Sequence, residues 1–189
     1  MKPKKIFFCG LFILLYISFV FSQDKKDKVG IEIGFNLVNQ YPIGNFFEYT
    51  NASLGGEFYF NCIFPKELVK SENLGFNVSY DFLKVFPKKN MVEYIKQKSF
   101  SFGLFYLFNL PKNFKLRPQI NFGFITHSFS DTLILKKSYS DILFSFCCEV
   151  QYLWKYNINF NISPVYTLIP VKEGAINYLG LKIGAGYRF

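Results

Sequence analysis

His127 is the only histidine in the chain, and the serines beside it are the first residues to weigh for chemistry. An imidazole that takes the proton of a serine hydroxyl can drive acyl transfer, provided both groups reach one reacting atom. Ser128 follows His127 directly, and consecutive residues of a strand face opposite sides. Ser130 lies three positions on, and it could approach only where the strand had already broken into a turn. The expectation is a loop histidine and no enzyme. One histidine with the scattered Cys62, Cys147 and Cys148 gives no metal-ligand spacing and no regular disulfide framework, so these cysteines read as small apolar fillers. Gly184-Ala-Gly186 precedes no helix and is not a phosphate loop. No cofactor is expected.

Charge is the second source of chemistry. Glu32, Glu57, Asp81, Lys115, Arg117, Glu149, Lys182 and Arg188 stand among Gly, Asn, Gln, Ser and Thr on segments that otherwise alternate with large apolar residues. If that polar face is enclosed, the charges must pair, because an unpaired buried ion is costly. A lower layer of ion pairs is expected from Arg117, Glu149, Glu32 and Arg188, and a second layer from Glu57, Asp81 and Lys182. Such layers either satisfy buried charge or act as a gate whose pairs exchange to admit ions. A separate cluster, Lys84, Lys88, Lys89, Lys96 and Lys98, is offset only by Glu93 within the stretch 84–99, which reads as a loop.

Elements that position these residues follow from a period of two. Apolar and polar residues alternate over 29–38, 54–64, 74–83, 100–110, 115–125, 142–152, 157–167 and 179–189, which reads as eight strands. Each has the length that a tilted strand needs to cross a bilayer, about 9–11 residues. The apolar face carries no charge and is rich in Phe and Tyr, of which the chain has 26 and 13. Lys or Arg on a lipid-facing position costs about 2–4 kcal/mol at the midplane. The opposite face is too poor in charge for a soluble surface. Its small polar side chains suit the cramped interior of an eight-stranded barrel. The fold class is therefore all-β: an eight-stranded antiparallel up-and-down transmembrane β-barrel.

Lys2, Lys4 and Lys5 precede an apolar run over 6–21, which reads as a cleavable signal peptide spanning 1–22. The run is shorter than the roughly 20 residues of a helical span. Residues 23–28 then form a periplasmic segment and 29–189 the barrel. With 22 basic and 13 acidic residues the net charge is +9, too diffuse to argue for nucleic acid. Odd-numbered connections are long or polar and most others short. Periplasmic turns are short and extracellular loops long, so both termini are expected in the periplasm. Tyr152, Trp154 and Tyr156 read as part of an interfacial aromatic girdle. Pro118 and Pro164 lack a ladder N–H and should mark bulges or distorted pairing.

With the strands placed, the chain resembles the eight-stranded outer-membrane barrel family typified by OmpA and OmpX. Tyr41-Pro-Ile-Gly-Asn-Phe46 is similar to the Pro-x-Gly-x-Phe that such domains often carry after the first strand, and Gly55-Gly56 and Arg117-Pro118 are similar local habits. The alternating 179–189 resembles their C-terminal strand, which implies that Tyr187 and Phe189 act as the insertion signal read by the barrel assembly machinery. Barrel lipid A deacylases use a His-x-Ser pair plus an acidic residue, and here His127-Ser128-Phe129 departs from that pattern. The resemblance implies an outer-membrane location with outer-membrane lipid as a partner, and it is nearly silent on activity. The expected role is structural or adhesin-like, with a monomer whose loop lysines could hold anionic lipopolysaccharide groups, glycans or host polymers. A narrow gated pore is the alternative, and a lipid-modifying enzyme a more distant one.

Overall fold

The computed structural model describes residues 30–44, 48, 50–65, 73–88, 94–130, 138–172 and 174–189. The expected leader 1–22, the segment 23–28 and Lys89 lie outside the described residues. Eight strands are present: β1 Gly30–Ile43, β2 Thr50–Ile63, β3 Leu74–Pro87, β4 Tyr94–Tyr106 with its continuation Phe108–Asn109, β5 Phe114–Ser130, β6 Ser138–Leu153, β7 Ile158–Val171 and β8 Gly174–Arg188. Each pairs antiparallel with the next. The β4–β5 and β1–β8 pairings close the sheet into a barrel, so no strand is an edge.

The eight expected segments are all found, but the strands run further at the end opposite the termini. β1 continues to Ile43, β3 to Pro87 and β7 to Val171, and β4 begins at Tyr94. Lys84, Lys96 and Lys98 therefore sit on strands, which corrects the reading of 84–99 as a loop. The physical reason is that ladder pairing persists where the outer face becomes polar and apolar alternation fades. Loop length then no longer separates the two ends. What separates them, among the described residues, is the set of hairpins that prolong the wall at the end opposite the termini.

Pro118 and Pro164 produce gaps in pairing without shifting register. The β4–β5 ladder is unpaired at Tyr106-Leu107, opposite Arg117-Pro118, and resumes in the same register at Phe108. The β6–β7 ladder skips Cys148-Glu149 opposite Ser163-Pro164. Each proline meanwhile keeps its pair on the other side, with Cys148 and with Leu181. Neither makes a bulge. The irregularity recorded in register lies between Thr50 and Ser53.

Tight connections at the terminal end depend on left-handed backbone. Lys112 and Asn113 both have positive φ, and Phe114 N–H donates to Pro111 O at 3.4 Å, the primed turn that matches strand twist. The outer wall is apolar. Its rings pack across strands, with Phe35 against Phe58 at 5.0 Å, Phe102 against Phe122 at 5.5 Å and Phe122 against Phe144 at 5.3 Å. Leu37, Phe58, Ile120 and Phe124 are all exposed. Burying one such side chain is worth about 1.5–3 kcal/mol, so a wall of them needs an apolar solvent.

Candidate functional site

Inward positions recur at every second residue, which brings side chains from all eight strands into one narrow lumen. They stack in layers. Nearest the termini, Glu32 is the hub. Its Oε1 accepts from Arg117 Nη1, Asn61 Nδ2 and Gln151 Nε2, each at 3.0 Å, and its Oε2 accepts from Arg188 Nη2 at 3.0 Å. Arg117 also holds Glu149, with Nη2 2.7 Å from Oε1 and 2.8 Å from Oε2. The guanidinium lies between two rings, its Cζ 5.7 Å from the Tyr59 centroid and 5.2 Å from that of Phe105, an arrangement that adds cation–π attraction. The structure thus joins Glu32, Arg117, Glu149 and Arg188 in one network. Lys115 is half-buried, beside Gln151 in register.

Glycine makes room for this layer. A Cβ on Gly34 or on Gly186 would meet the Tyr59 hydroxyl, and one on Gly75 would meet the Phe105 ring. Tyr59 and Phe105 fill the lumen because β1, β3 and β8 present no side chain there.

One level up, Lys182 Nζ donates to Glu57 Oε1 at 2.6 Å and stands 3.6 Å from Asp81 Oδ1. Glu57 Oε2 accepts from Asn36 Nδ2 at 2.6 Å, and Asp81 Oδ2 from Ser99 Oγ at 2.7 Å. Glu57 and Asp81 are direct cross-strand partners. Two carboxylates therefore share one ammonium, with neutral donors supplying the remainder.

A third layer is one that sequence reasoning missed. Ile125, Leu143, Ile169 and Tyr178 form an apolar cluster inside the far half of the lumen, with Val171 and Ile176 packed against it. Val38, Leu83, Val85 and Val165 are buried on the same inward face. Residues 168–178 read as a loop, which hid Ile169 and Tyr178. The signal that could have found them is that Val165, Thr167, Ile169 and Val171 keep the inward register of β7 past the apolar outer stretch.

Above this cap, Gln97 Nε2 donates to Tyr178 Oη at 3.1 Å and lies 3.2 Å from His127 Nδ1. His127 Nε2 is 3.9 Å from Asp141 Oδ2, beyond hydrogen-bond reach. Strand β5 extends through His127, so the residue is not in a loop, and Ser128 takes the outer face across from Lys96. His127 and Ser128 therefore diverge. The Ser130 side chain lies outside the described part.

On the outer wall, Lys84 of β3 stands directly opposite Lys96 of β4, and Lys98 opposite Phe82. All three lysines are exposed, as is Lys88 just after β3. Lys84 and Lys96 flank the Tyr94 ring, their Nζ atoms 5.2 and 5.4 Å from its centroid. At the terminal end, Trp154 packs on Phe160 at 5.5 Å and Tyr152 on Phe114 at 5.0 Å, with Trp154 and Tyr156 exposed. Tyr187 and Phe189 are exposed ring neighbours at 4.9 Å, and Phe189 N–H donates to Ile31 O at 2.8 Å.

No protein-family model and no curated protein sequence matches the chain. Solved structures of small outer-membrane barrels do match its fold. The attachment invasion locus protein Ail of Yersinia pestis, in complex with the heparin analogue sucrose octasulfate, superposes with a TM-score of 0.60 at 15% identity, covering 85% of this chain and 99% of that one. Neisserial surface protein A gives 0.58 at 15% identity, over 85% and 95%. The outer membrane protein OprG of Pseudomonas aeruginosa gives 0.60 at 12% identity, over 86% and 97%. At such identities the likeness is one of fold.

Proposed function

We propose that this chain, which has the fold of the small eight-stranded outer-membrane barrels, is a non-enzymatic integral outer-membrane protein that contacts anionic partners at the cell surface. Both termini are then periplasmic, and the far end, where hairpins prolong the wall, faces outward. The observation that carries this reading is the contrast between interior and wall. The lumen is filled by two ionic layers and an apolar cap from the chain itself, whereas the wall of β3 and β4 presents Lys84, Lys96 and Lys98, to which no described carboxylate is ion-paired. A narrow pore would need a wet path through Val38, Ile125, Leu143, Ile169 and Tyr178, all buried against one another or the wall. Ail, which shares the fold, was crystallised with a sulfated heparin analogue, and that supports polyanion contact as a role for a barrel of this size.

Two measurements on the refolded protein test the reading. Planar-bilayer recordings should be silent for wild type and for Arg117→Ala, and sucrose octasulfate should bind wild type about tenfold tighter than a variant with Lys84, Lys88, Lys96 and Lys98 changed to Ser. Discrete conductance steps would replace the sealed barrel with the gate. Undetectable binding of the polyanion would remove the surface contact.

A further inference from the structure

We infer that the outer wall at Lys84, Lys96 and Lys98 is a seat for the phosphate group of a phosphorylated lipid in the outer leaflet of the same membrane. The inference rests on the orientation and surface role proposed above and specifies the ligand. The three lysines share the outer face with Phe82, Phe86 and Phe100 and point sideways from the barrel, so an occupant approaches from the membrane plane.

Height agrees with direction. Lys84 lies ten residues beyond Leu74 on β3, which for a strand rising ~3.3 Å per residue and tilted about 40° is roughly 25 Å, the height of the apolar band. The lysines therefore stand at its upper boundary, where headgroups lie. Immediately below them, Tyr80 pairs with Phe100 and Val78 with Phe102, an aromatic surface on which acyl chains would rest. Leu54, exposed and opposite Lys84 on β2, extends the apolar floor.

The lysines also repel one another. Lys84 and Lys96 are direct cross-strand partners, and Lys98 is diagonal to Lys84. Like charges placed so are destabilising, and among the described residues no carboxylate is ion-paired to any of the three. The Tyr94 ring lies beside two of them and supplies only a quadrupole. An anion bridging the triangle removes the repulsion. Among the paired residues of the upper outer face on the other strands, Asn39, Thr126, Ser140 and Asn177 are uncharged. A polyanion free in solution has no use for the aromatic floor, whereas a phosphorylated acyl lipid uses both halves of the footprint.

The test places wild type and variants in nanodiscs of neutral phosphatidylcholine doped with lipid A bearing its phosphates or with the dephosphorylated form. Native mass spectrometry reads retained lipid, and the midpoint of heat unfolding reads stabilisation. Wild type should retain the phosphorylated form about tenfold better and unfold at a higher temperature with it. K84S/K96S/K98S should lose both effects while unfolding at the same or a higher temperature than wild type in neutral lipid, since the repulsion is gone, and K84R/K96R/K98R should keep them. Equal retention of the two lipid forms by wild type, or undiminished preference in the serine variant, overturns the seat. If lipid phosphate makes no difference while sucrose octasulfate still binds through the lysines, the seat falls and surface contact stands. If neither binds, both fall.

Discussion

Arg117 Nη1 lies 3.0 Å from Glu32 Oε1, although β5 and β1 are separated by three strands in either direction around the barrel. The contact crosses the lumen and ties opposite walls together. Replacing Arg117 by Ala leaves Glu32 and Glu149 enclosed with one cation fewer, and losing one partner of a buried pair costs about 3–5 kcal/mol. Equilibrium urea unfolding in liposomes should show that loss. An unmoved midpoint would mean that water in the lumen already solvates both carboxylates.

The Glu57, Asp81 and Lys182 layer has an excess of negative charge. Lys182→Ala strands two carboxylates, whereas Asp81→Asn removes the repulsion between direct partners and retains an acceptor for Ser99. The lysine variant should lose about 3 kcal/mol or more, and the asparagine variant less than 1 kcal/mol. Neither difference should shrink in high salt, since enclosed pairs are little screened. Equal losses in the two variants would contradict the shared-ammonium arrangement.

Gly186 and Tyr59 should be coupled. Ala at Gly186 drives a methyl into the Tyr59 hydroxyl, while Tyr59→Phe removes that oxygen along with its bond from Asn161 Nδ2 at 3.0 Å. Each single change should destabilise, and the double variant should recover about 0.5–3 kcal/mol relative to additivity. A strictly additive cycle would show that the ring, rather than the hydroxyl, sets the space.

Ile169 is fully buried in the apolar cap. Truncation to Ala removes packing and leaves a cavity, a change that costs about 2–5 kcal/mol. Thermal unfolding in liposomes reads the loss, and the bilayer should stay electrically silent because the ionic layers below still fill the lumen. Conductance from Ile169→Ala alone would identify the cap as the sole seal.

At the last strand, neighbouring residues should divide their roles. Phe189 faces outward beside Tyr187, while Arg188 reaches inward to Glu32. Deleting Phe189 should reduce insertion by the assembly machinery in cells, and Arg188→Ala should insert normally yet unfold at lower denaturant. Equal insertion defects in both variants would abolish the division.

What the sequence determined by itself is the wall. A period of two with Phe and Tyr on one face and small polar residues on the other leaves one arrangement that satisfies every backbone group in lipid, a closed antiparallel barrel, and the eight segments follow from where alternation breaks. The charged members of the lumen were legible too, as intrusions on the polar face. Only the tertiary structure decided which of them touch, because strand register and tilt place Arg117 across from Glu32 and set Lys182 between two carboxylates. Closure likewise decided that Ile125, Leu143, Ile169 and Tyr178, drawn from four strands, converge into a cap. The lysines of β3 and β4 belong to the same class. Their types stand in the chain, but their sideways aim and mutual opposition exist only once pairing continues beyond the apolar band.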